Sequence, residues 1–180
     1  MYAMGAGFCD ATFAVGLRAL GRDSAWTARF LALPTAERFD SLLAGGLLGA
    51  YYDGLEAAVA TRAAALRAAA TRTRPGVLFA LRTAAPPTDW FTLGILRGLS
   101  SAEAPVLLWT TDARVGGLLP AYRARGINVL HAAGLDPLRL GARDWPRLAP
   151  IVFDRNDGFW LSAVPGDSVA RLIRRMNKER

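Results

Sequence analysis

The sequence is poor in the residues that most often carry chemistry. Its 180 residues hold one cysteine, Cys9, and one histidine, His131, which excludes an internal disulfide and a cysteine–histidine metal site. Lysine is almost absent, with Lys178 alone among 22 basic residues. No apolar run approaches the roughly 18 residues that span a bilayer, so no membrane partner is expected. The first twenty residues include Asp10 and Arg18 and lack a charged start followed by a clean apolar stretch. No secretion signal is read from them, and the expected compartment is the cytoplasm. The glycine pairs Gly45-Gly46 and Gly116-Gly117 lack the spacing and lysine of a phosphate loop, and no serine sits in a nucleophile elbow. No metal or other cofactor is expected.

What is present points to a packed domain. Hydrophobic residues make up 52% of the chain, enough to build a sizeable core at this length. The net charge of +7 comes from arginines scattered along the chain. Their one dense cluster runs from Arg171 to Arg180. Nucleic-acid binding would want a basic stripe interleaved with aromatics, so it is not the expected function.

Hydrophobic periodicity gives the fold class. Val106 opens a short apolar run that ends in Thr110-Thr111-Asp112, an amphipathic stretch from about Gly117 is closed by Gly126, and a second apolar run starts at Ile127. That is a β-α-β unit: buried parallel strand, crossover helix, strand. Upstream, Asp10 is placed to cap a short helix that Gly21 stops, helical pieces follow from Ser24 and from Pro34-Thr35, and the longest helix runs from Tyr51 to Thr73. Tyr52, Leu55, Val59, Ala63, Leu66 and Ala70 form its apolar stripe. Pro75-Gly76 ends it, and Val77–Leu81 reads as a strand leading to Arg82-Thr83. Thr88 or Asp89 caps a helix from Trp90 to Leu99. Further along, the spacing predicts a helix from Asp144 to about Arg155, a strand at 157–161 and a last helix from Ser168 to Met176. Strands alternating with helices make one α/β domain, residues 1–180, with parallel β-α units.

Several segments together resemble a known family. Gly7-Phe-Cys-Asp10-Ala-Thr-Phe13, the long helix followed by Arg74-Pro-Gly-Val-Leu-Phe, Trp90-Phe91 with Gly94 and Arg97-Gly98-Leu99, and Asp157-Gly-Phe-Trp-Leu161 look like a glycoside-hydrolase-like (β/α)8 barrel. More narrowly they resemble its C-terminal half, strands five to eight. The resemblance implies a partial TIM (β/α)8 barrel with a glycoside bound or hydrolysed at the C-terminal ends of its strands. Such enzymes use two carboxyl groups, and the acid/base one would then lie outside this chain. A half-barrel also exposes sheet edges, which implies self-association or a missing N-terminal half. The alternative is a non-catalytic α/β module that binds a small ligand or a partner.

The candidate residues each carry two readings. Asp112 is either a strand-end carboxylate aimed at substrate or the N-cap of the helix that follows. Asp157 is the other candidate catalytic carboxylate, against a plain Asp-Gly turn. Asp136, before Pro137, reads as a turn residue. His131 either meets a sugar hydroxyl or is buried and satisfied by backbone. Trp109, Trp160, Trp90 and Tyr51 are candidates for stacking on a sugar ring, against ordinary core roles. Arg82 could hold a hydroxyl or carboxylate with its planar fork, or a surface ion pair. Cys9 reads as buried packing.

Overall fold

The computed structural model describes residues 7–111, 113–134, 147, 150–152, 154–160 and 167–178. They form two compact units: Met1–Val77 with Pro87–Leu99, and Leu78–Pro86 with Ser100–Arg180. Asp112 and Asp136 lie outside the described residues.

The first unit is helical, with α1 (Asp10–Ala19), α2 (Ser24–Leu31), α3 (Thr35–Ala44), α4 (Leu48–Thr73) and α5 (Trp90–Leu99). Two of the helix starts, those of α2 and α5, follow from short polar side chains. Asp23 Oδ1 accepts the Trp26 N–H at 2.7 Å and Asp89 Oδ1 accepts the Thr92 N–H at 2.8 Å, each satisfying a donor that the helix leaves open. Asp10, expected to cap α1, is instead its first residue. Cys9 occupies the cap position. The core joins Phe8, Phe13, Leu17, Leu42, Tyr51, Tyr52 and Leu55. The stripe expected along α4 is buried only in its first half, through Ala63, whereas Leu66 is 62% exposed.

Small residues set how closely these helices meet. A Cβ at Gly16 would lie 2.2 Å from the Tyr51 ring, so only glycine lets that ring lie flat against α1. At Gly94 and Gly98 of α5 a Cβ would lie 2.7 Å from the Glu56 carbonyl oxygen and 2.3 Å from that of Ala60. The two glycines, four apart on one helix face, bring α5 against the backbone of α4.

The second unit holds β1 (Ala80–Thr83), β2 (Val106–Thr110), a 3-10 turn (Ala113–Leu118), α6 (Leu119–Ala124), β3 (Val129–Gly134), β4 (Gly158–Trp160) and α7 (Asp167–Lys178). Residues 150–152 and 154–155 are helical as well. The strands form one sheet in the order β1-β2-β3-β4, every pair parallel. The fold class is therefore α/β with a parallel sheet. Gly126, with φ of 73°, ends α6 as the sequence predicts.

Register decides which side chains share a face. Arg82 pairs with Trp109, Trp109 with Ala132, and Ala132 with Gly158. One row further on, Thr83, Thr110, Ala133 and Phe159 align on the opposite face. On that second face Val106, Leu108, Thr110, Val129, His131 and Ala133 are all buried. On the first face Trp109 remains 40% exposed and Leu130 39%, although parallel strands usually cover both faces.

Candidate functional site

The C-terminal ends of the strands bring together Arg82 from β1, Trp109 and Thr110 from β2, Gly134 from β3 and Trp160 from β4. Trp160 organises the group. Its indole N–H donates to the Thr110 carbonyl at 3.1 Å, two strands away. The ring crosses β3 at Gly134, where a Cβ would lie 3.0 Å from it. The glycine is therefore what admits the ring. The Arg82 guanidinium lies 5.3 Å from the centroid of the same ring, within cation–π range. With Arg82 over it and Gly134 beneath it, Trp160 acts as the holder of Arg82. Trp109, beside Arg82 in the register and 40% exposed, offers the larger open aromatic surface.

Beneath this face lies a buried polar chain. His131 and Thr110 have no exposed surface, and Asn156 is 6% exposed. Asn156 Nδ2 donates to the Val152 carbonyl at 2.9 Å, which turns its Oδ1 toward His131 Nδ1. Nδ1 therefore carries the proton, and Nε2 accepts from the Thr110 hydroxyl at 2.9 Å. His131 is thus buried, but its ring meets the side chains of Asn156 and Thr110 rather than backbone, and it ties β2 and β3 to the segment before β4. Asn156, which completes this chain, was not picked out from the sequence, where an Asn before Asp-Gly reads as a turn.

Asp157 corrects the sequence reading most directly. It precedes β4 and so stands at that strand's start, opposite to the end where barrel chemistry gathers. Its Oδ2 accepts the His131 backbone N–H at 2.8 Å, so it pins β4 to β3. The hydroxyls near the strand ends are similarly committed. Thr83 donates to the Ala85 carbonyl at 2.8 Å and Thr111 to that of Ala84 at 2.9 Å. Among the described residues the C-terminal edge carries a cation and no carboxylate.

Tyr51 and Trp90 belong to the helical unit, and the strand-end group to the other. Tyr51 has no exposed surface and donates its hydroxyl to the Gly7 carbonyl. It has no ring face to offer a ligand, and burial raises its pKa. Trp90 is half-buried and packs edge-on against Phe91, with centroids 5.7 Å apart. The pair lines a cleft of about 240 Å³ with Thr12, Val15, Val59 and Arg62.

Cys9 is exposed at the start of α1 rather than buried. Its sulfur lies 3.1 Å from the Thr12 hydroxyl, which lowers the thiol's pKa. No group of three or more metal-binding side chains occurs among the described residues. No described helix is long and apolar enough to cross a membrane.

No protein-family model, curated protein or solved structure matches the chain.

Proposed function

We propose that the chain is a carbohydrate-active module with the architecture of a partial (β/α)8 barrel, binding a glycoside at the C-terminal ends of its strands. The observation that carries the reading is the open sheet face. Trp109, 40% exposed, stands beside Arg82 on the face that also carries the exposed Leu130. Consecutive parallel strands in the order β1-β2-β3-β4 are the pattern of a barrel wound in one direction. In a closed barrel this face is the interior, where Leu107 and Leu130 would be covered while the indoles near the strand ends face its mouth. An indole edged by a planar cation suits a sugar, whose apolar C–H face stacks while its hydroxyls accept hydrogen bonds.

Binding is favoured over hydrolysis by one observation. Asp157 stands at the wrong end of its strand and already accepts a backbone N–H, so two flanking carboxyl groups are not supplied by the described residues. The module then recognises glycoside, with any chemistry resting on Asp112 or on another chain.

Calorimetric titration with neutral and acidic oligosaccharides tests the reading. Trp109→Ala is expected to weaken the tightest ligand about tenfold, equivalent to ~1.4 kcal/mol, while the far-ultraviolet circular dichroism is unchanged. No saccharide binding at millimolar concentration, from a folded protein, would remove the proposal.

A further inference from the structure

The glycoside reading leaves open which sugar, and the charge at the strand ends bears on that. Arg82 is exposed, lies over the Trp160 ring at 5.3 Å, and makes no salt bridge among the described residues. A cation–π contact at that distance holds the guanidinium near the ring, and its planar fork of N–H donors suits a carboxylate. Trp160 is itself fixed by its bond to the Thr110 carbonyl and by contact at Gly134. The cation is therefore presented beside its register partner Trp109, which is 40% exposed.

Resting on the glycoside reading, we propose that the site takes an acidic sugar, a hexuronate whose ring stacks on Trp109 and whose carboxylate lies in the fork of Arg82. The carboxylate fits better than a phosphate. One planar guanidinium gives a carboxylate two parallel hydrogen bonds, whereas a phosphate cradle wants further donors. The neighbouring hydroxyls of Thr83, Thr110 and Thr111 are already engaged with Ala85, His131 and Ala84. The one lysine of the chain, Lys178, lies in α7. Asp157, the carboxylate that precedes β4, is turned to the His131 N–H at the start of that strand.

The experiment is a calorimetric comparison of trigalacturonate, galactotriose and adenosine monophosphate, on the wild-type chain and on Arg82→Gln and Arg82→Lys. The uronate is expected to bind at least tenfold more tightly than the neutral trisaccharide. Arg82→Gln brings that ratio to about one, and Arg82→Lys, which keeps the charge without the fork, restores only part of it. Equal affinities for the two trisaccharides in the wild-type chain would overturn the acidic-sugar inference and leave the glycoside reading standing. Binding of neither removes the glycoside reading itself. Tighter binding of the nucleotide than of either saccharide overturns the inference in favour of a phosphate ligand.

Discussion

Arg38 shows how one buried charge can hold a unit together. It is 4% exposed, and its guanidinium donates to the Phe8 carbonyl and the Asp10 carboxylate, each at 2.7 Å, and to the Leu33 carbonyl at 3.1 Å. The same group lies 4.6 Å from the Phe13 centroid. Arg38→Met removes all three donations and orphans two carbonyls, with an expected loss of about 2–4 kcal/mol in urea unfolding. Asp10→Asn leaves those carbonyls satisfied. Since the Asp10 side chain is 90% exposed, it should cost less than about 1 kcal/mol. Equal losses from the two variants would show that the ion pair, and not the carbonyl bonding, is what matters. In the sheet unit, burial pushes the Tyr122 hydroxyl up to about 12 from its usual 10. Because the folded value lies above the unfolded one, the associated stability is present below pH 10 and is lost as pH rises through about 12. Tyr122→Phe should flatten that alkaline fall in the unfolding midpoint of this unit.

At the scale of elements, the α4–α5 pair makes a prediction that runs against helix propensity. Alanine for glycine inside a helix ordinarily stabilises by about 1 kcal/mol. Gly98→Ala would put a methyl 2.3 Å from the Ala60 carbonyl oxygen, which forces the helices apart and should cost about 1–3 kcal/mol. Gly49, in the first turn of α4 with open space around it, is the control and should gain stability on the same change. Two urea curves decide the matter. Legibility in the sequence divides along the same line. Helix starts at Asp89, stops at Gly126 and the strand cores at Val106 and Val129 were readable because each depends on neighbours within a few residues. Contacts made across the fold were not readable. The burial of Tyr51, set by Gly16 facing it from another helix, leaves no periodic mark. The position of Asp157 turned on where a three-residue strand begins, and a one-residue shift changes the role of every side chain. Arg82 was legible as a strand-end residue and Trp109 as a strand residue, but that they neighbour each other follows only from the register.

For the molecule as a whole, the open face of the sheet is the decisive feature. Leu130 and Trp109 lie exposed, and Leu107 half-buried, on one face of strands whose opposite face is buried, and β1 and β4 each have a neighbour on one side only among the described residues. Such a face is stable in a barrel and invites association outside one. If the partial-barrel reading holds, this chain should self-associate as its concentration rises through about 10–100 μM, a range set by binding free energies of about 5–7 kcal/mol. Leu130→Lys should shift sedimentation toward monomer, because a charge in the middle of that face cannot be covered without desolvation. Leu130 is 39% exposed, so the substitution itself should cost little, on the order of 0.5 kcal/mol. Circular dichroism then separates lost association from lost fold. A wild-type chain that sediments as a monomer at every concentration and melts in one cooperative step would show that the face needs no cover. In that case the partial barrel gives way to an open α/β module that stands alone and uses the same face only for its ligand.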